Sequence, residues 1–206
     1  MILDPLYFLI AAPGLLLALY ASYKVKSTFS RYERISLSRP MSGAEVAREL
    51  LRREGIHDVR VEPHDGFLTD HYDPADRVVR LSSPVYSGRS VSAVGVAAHE
   101  VGHAIQHARG YAPMRLRQEL VGPANLGSNF AYIAIIVGFL LHSAVMVWGG
   151  IILFSAVVAF QAVTFPVEWD ASRRAKLQLV QTGIVNQRES LGVARVLNAA
   201  ALTYFA

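Results

Sequence analysis

Hydrophobic and polar positions divide the chain into apolar blocks with a mixed stretch between them. "PLYFLIAAPGLLLALYASY" (5–23) is apolar and uncharged, long enough as a helix to cross a hydrocarbon core of roughly 30 Å. Residues 24 to about 118 alternate more finely. In "MSGAEVARELLRREG", Ser42 as N-cap with Glu45 three positions on forms a capping-box pattern; Val46, Leu50 and Leu51 make an apolar face, and Gly55 is a stop. "DVRVEP", "GFLTDHY" and "RVVRLS" read as short strands, separated by the turn signals Pro63-His64-Asp65-Gly66 and Asp73-Pro74. From about Ser90 to Arg109 the pattern is helical, with Gly110 and Pro113 ending it. The block 122–168 is too long for one span and predicts a transmembrane hairpin broken somewhere in 142–150. Pro166 is expected to start a further helix over 167–181, and 187–206 reads as the last one.

These elements predict a mostly helical α+β membrane protein with about three transmembrane helices and a small zincin-like region built on a short sheet. The expected divisions are an N-terminal transmembrane helix (1–23), a cytoplasmic catalytic region (24–118), the hairpin (119–166) and a helical region (167–206). Composition agrees: 52% of the 206 residues are hydrophobic, and mean hydropathy is +0.31. Charge then orients the chain. Asp4 and the lack of Lys or Arg at the start argue against a cleaved signal peptide. Lys24, Lys26, Arg31, Arg34 and Arg39 follow the first span; Arg115 and Arg117 precede the hairpin, and Arg173, Arg174 and Lys176 follow it. By the positive-inside rule this places the mixed region in the cytoplasm of a multi-pass inner-membrane protein. The net charge of +4 fits a bilayer partner, and no nucleic-acid-binding pattern is present.

With no cysteine in the chain, a transition-metal site must use His, Asp or Glu. "AAHEVGHAIQH" (97–107) supplies His99, Glu100 and His103 as H-E-x-x-H. Positions i and i+4 share a helix face, so both imidazoles can meet one ion while Glu100 reaches its water. Zinc lowers the pKa of such a water to near 7, and the glutamate takes the proton as the water attacks a peptide carbonyl. The alternative is a surface helix with two solvated histidines; Ala97, Ala98, Gly102 and Ala104 around them suit a buried site better. His107 repeats the spacing but lies about 12 Å along the axis from His99, too far to share the ion, and is read as structural or supporting. The expected third ligand is Glu168 in "VEWDASRRA", with Ser172 on its face and Asp170, turned toward Arg173 and Arg174, as second choice.

Across the opening span, "GFLTDHYDP", "LSSPVYSGRSVSAVGVAAHEVGHAIQH", the hairpin, "EWDASRRA" and "VLNAAALTY", the chain resembles the YugP-type neutral zinc metallopeptidases of bacterial membranes. More distantly it resembles gluzincins of the HtpX and CAAX-processing type. The resemblance implies one Zn2+ per chain on His99, His103 and Glu168, Glu100 as catalytic base, and an endopeptidase acting on peptide or membrane-protein substrates at the cytoplasmic side. It departs from HtpX-like enzymes at Ser172, where they place an aspartate that orients a zinc histidine. Relatives of the YugP type also run on into a final apolar segment, whereas this chain stops at Ala206. Such peptidases bind substrate as an added edge strand, which makes "RVVRLS" with Val79 and Leu81 a candidate; a plain core strand is an equal alternative. His71, Tyr72, Arg195 and Tyr204 are candidate oxyanion donors.

Two rival functions are weighed. A zinc-stabilised, non-catalytic membrane adaptor or chaperone would close all four zinc positions with protein ligands, whereas three ligands with a glutamate beside them look open, which favours catalysis. A transporter would need ionisable residues within its spans, and these spans carry almost none.

Overall fold

The computed structural model describes residues 5–204, with side chains described for 12–203. Its elements are α1 (Pro5–Glu33), α2 (Gly43–Arg53), β1 (Arg60–His64), β2 (His71–Asp73), β3 (Val78–Ser82), the short α3 (Ser83–Tyr86), α4 (Val91–Ala108), α5 (Ala112–Leu140), α6 (Ala144–Gln181) and α7 (Gln187–Ala201), followed by a 3-10 turn. The chain is mostly helical with one small sheet, as its pattern predicts. It forms two compact units, Met1–Ala108 with Trp169–Ala206, and Arg109–Glu168.

In the first unit α4 is the central element, packed by α1, α2 and α7 and by β2 and β3. Its sequence explains this: Ala93, Val94, Ala97, Ala98, Val101, Ala104 and Ile105 are all buried, and their small size lets several helices approach at once. α2 is held at its start by the expected capping box, with Glu45 N–H donating to Ser42 Oγ (3.2 Å) and Ser42 N–H to the Glu45 carboxylate (2.7 Å). Val46, Ala47, Leu50 and Leu51 are buried on its inner face. A second capping box, Asn186 with Glu189, starts α7 and was not read from the sequence. Glu189 also accepts from the backbone N–H and hydroxyl of Ser38 (2.6 and 2.8 Å). Burial pushes the Glu189 pKa up, but these donors outweigh it and hold the carboxyl below its ordinary value. α1 continues past the expected boundary at Tyr23. Leu15, Leu16, Leu17, Leu19, Tyr20 and Tyr23 are exposed, whereas Phe29 and Tyr32 are buried.

The sheet order is β1-β3-β2, with β1 parallel and β2 antiparallel to β3. This decides between the two readings of the third strand. β3 is the central strand, its backbone groups are paired on both sides, and Val79 and Leu81 are fully buried. They form core rather than a substrate edge; the free edges of this sheet belong to β1 and β2.

The second unit is a helical hairpin. α5 and α6 are both long and apolar enough to cross a membrane. The turn falls at Leu141–Ser143, at the very start of the expected range 142–150, with His142 at φ 52°. Glycines let the two helices touch: a Cβ on Gly127 would lie 2.4 Å from the Leu153 carbonyl oxygen. Phe130, Ile133, Ile136, Phe139, Val145 and Ile152 are exposed along the hairpin. Two boundaries differ from the sequence reading. α4 ends at Ala108 as expected, but α5 starts at Ala112, ahead of the expected 119, with Pro113 in its first turn, where its missing N–H costs nothing. Pro166 does not start a helix: α6 runs unbroken from Ala144 to Gln181 with Pro166 inside, as long membrane-length helices tolerate.

In the first unit, α4 and the last part of α6 meet at Gly102, where an added Cβ would lie 2.6 Å from the Ala171 carbonyl oxygen and 3.1 Å from its Cα. Neither backbone can yield, so Gly102→Ala is expected to destabilise the protein by about 1–3 kcal/mol. Gly149→Ala, where nothing lies within 4 Å, is expected to leave stability unchanged or slightly raised. Thermal unfolding of both variants in detergent checks this; equal midpoints would contradict it.

Candidate metal centre

α4 is regular through its histidines, so His99 and His103 stand one turn apart on the same face. Their rings lie edge to face, with centroids 4.8 Å apart. Glu168 on α6 completes a group in which one ligand atom from each residue lies within 4.8 Å of the other two. His103 and Glu168 are buried and His99 is half-buried. Glu168 immediately precedes Trp169, and the same unbroken helix carries Asp170, Ala171 and Ser172. The backbone contact at Gly102 and Ala171, with Ala98 and Ala175 also buried, is what brings this stretch of α6 against α4.

A chain of hydrogen bonds fixes how the histidines are turned. Asp170 is gripped by Arg173 (3.0 Å) and Arg174 (2.5 Å), as its position next to these residues predicts. Its Oδ2 also accepts from Gln106 Nε2 at 3.1 Å. A carboxylate held by two guanidiniums accepts only, so the Gln106 amide must present its nitrogen there. Its Oε1 then faces His103 Nδ1, at 3.1 Å. An amide oxygen cannot donate, so His103 Nδ1 carries a proton, and in the neutral ring Nε2 is then the nitrogen with the lone pair. Gln106 is fully buried, which makes this use of both ends of its amide a requirement of the fold. On the other side, Ser172 Oγ lies 3.1 Å from His99 Nδ1. The serine at the position of departure therefore contacts a cluster histidine directly. The donor set fits a zinc ion: two imidazoles, a carboxylate, no sulfur, and each imidazole anchored through Nδ1.

Glu100 is buried on α4 beside this face, 7% exposed. His107 is engaged elsewhere: its Nδ1 lies 2.7 Å from the Tyr72 hydroxyl, at a cavity of about 260 Å³ lined also by Asp58 and Arg77. Burial pushes the Tyr72 pKa up to about 12. The other oxyanion candidates have described partners of their own. His71 Nδ1 is 2.8 Å from the Thr69 carbonyl oxygen, and Arg195 donates to the Tyr32 hydroxyl at 2.9 Å. The side chain of Tyr204 lies outside the described residues. Sequence reasoning missed Gln106. The available signal was its i+3 spacing from His103 on a helix whose neighbours are small.

A family model described as "Putative neutral zinc metallopeptidase" matches residues 7–206. The chain is similar to a Bacillus subtilis (strain 168) protein described as "Putative membrane protease YugP", at 50% identity over 201 residues, covering 98% of this chain and 88% of the relative. No solved structure matches the chain. An H-E-x-x-H helix, a carboxylate brought to its two histidines and a match over nearly the whole length lead to one conclusion: the chain belongs to the neutral zinc metallopeptidase family that this model describes.

Proposed function

We propose that the chain is an integral membrane zinc endopeptidase whose site faces the cytoplasm. The observation that carries the reading is the convergence of His99, His103 and Glu168 within 4.8 Å, beside a buried Glu100. His99 and His103 would hold the ion through Nε2, since Nδ1 of each is engaged by Ser172 or Gln106. Glu168 supplies the third ligand and the only negative charge among the three. A bound zinc would polarise a peptide carbonyl and acidify a water molecule to near neutrality. Glu100 is the general base: its carboxylate accepts the proton of the attacking water and returns it to the leaving amine. Three protein ligands leave a position open, as catalysis requires.

A membrane setting is supported by the two spanning-length helices, by the name of the Bacillus relative and by the cationic residues flanking the apolar blocks. In this reading 1–23 and the hairpin 119–166 are membrane segments, while 24–118 and 167–206 form the cytoplasmic catalytic part. Substrates are membrane proteins or loops near the bilayer. An enzyme that cuts soluble unfolded chains and spares membrane proteins would contradict this.

The reading separates two glutamates. In protein purified in detergent, Glu100→Gln is expected to keep about one zinc per chain and lose cleavage by about 10²–10⁴-fold. Glu168→Gln is expected to lose zinc and cleavage together. A Glu100→Gln enzyme that cleaves like wild type would sink the mechanism.

The buried relay is expected to act through affinity. Gln106→Leu and Asp170→Asn should each weaken zinc binding by about 10–100-fold in a chelator competition assay, with the fold retained by circular dichroism. Unchanged affinity in both would show that the relay only packs the helices.

A further inference from the structure

Wholly within the first unit, and sharing no residue with the metal cluster, α1, α7 and the turn after it enclose a groove of about 500 Å³. α1 contributes Lys24, Thr28, Arg31 and Tyr32, the first three at i, i+4 and i+7, one face of a helix. α7 contributes Arg195 and Asn198, with Ala199 and Leu202 as an apolar wall. Three cations, two hydroxyls and an amide thus face one space, and no carboxylate is among its lining residues. Like charges gathered this way repel one another unless an anion joins them. Arg195 is already positioned, through its 2.9 Å bond to the Tyr32 hydroxyl, and Tyr32 is itself buried.

We infer that this groove binds a phosphate-bearing anion. Guanidinium, ammonium and hydroxyl donors converging from two helices are the chemistry that recognises phosphate oxygens. The position of the groove points to a phospholipid headgroup as the source. On α1 the exposed Leu15, Leu16, Leu17 and Leu19 give way to Tyr20 and Tyr23, and the first groove residue, Lys24, follows at once. Apolar, then aromatic, then cationic is the order of a segment passing from hydrocarbon into the headgroup layer. The apolar wall at Ala199 and Leu202 suits the glycerol part of such a ligand. The phosphate chemistry does not depend on the zinc reading; only the lipid source depends on the membrane setting.

The test uses the full chain in detergent, titrated with phosphatidylglycerol, phosphatidylcholine or inorganic phosphate, with bound ligand counted by native mass spectrometry. Wild type is expected to bind phosphatidylglycerol at least tenfold more tightly than phosphatidylcholine. Removing two cations at the groove, in the Lys24→Gln/Arg31→Gln double variant, should weaken that binding about thirtyfold. Both residues are exposed, so the fold is preserved. The Arg34→Gln/Arg39→Gln control removes equal charge outside the groove and should bind like wild type. If inorganic phosphate binds in the same variant-sensitive way and displaces phosphatidylglycerol, the anion site stands with a soluble source. If the control loses as much as the groove variant, or wild type prefers no phosphate-bearing ligand, the site is refuted.

Discussion

The candidate site depends on one contact, the approach of the α4 and α6 backbones at Gly102 and Ala171, with no room for a Cβ. H-E-x-x-H alone yields two imidazoles on one helix face. A third donor has to come from another element, and a carboxylate side chain is short. Ala98, Ala171 and Ala175 extend the same logic above and below, all of them buried. Bulkier residues there would hold the helices the usual 8–10 Å apart and leave Glu168 short of the histidines.

That closeness creates a second constraint, because it buries polar groups. Gln106 and Asp170 would each carry a desolvation cost if left alone. They satisfy one another, and the arginines one turn further along α6 complete the carboxylate's partners. The outcome reaches the candidate metal face: the charge on Asp170 sets the amide, the amide sets which His103 nitrogen carries a proton, and Nε2 is the one that could take a metal. Ser172 contacts His99 without a charge of its own. The two histidines are thus oriented by different chemistry, a supported amide on one side and a hydroxyl on the other.

Much of this was legible in the chain itself. Ser42 and Glu45 announced the start of α2, because a capping box is local and needs no tertiary information. The spacing of His99 and His103 carried their shared face, and the position of Glu168 after the hairpin suggested its return to them. Where the reading failed, the deciding interaction was non-local. Pro166 looked like a helix start because propensity cannot register a long helix that absorbs one missing bond. β3 stayed open between edge and core because strand order is a property of the sheet: β1 pairs with it in parallel, with β2 intervening in the chain, which no period-two pattern reveals. Gln106 was invisible as a functional residue because its partner lies 64 positions away.

The central claim is that one ion is held by two imidazoles and one carboxylate, with His107 left aside. X-ray absorption at the zinc edge of the metal-loaded, detergent-purified chain tests it directly. The expected spectrum has two imidazole shells and oxygen, all at about 2.0–2.2 Å. A three-imidazole spectrum, or one that Glu168→Gln leaves unchanged with zinc still bound, would contradict the account.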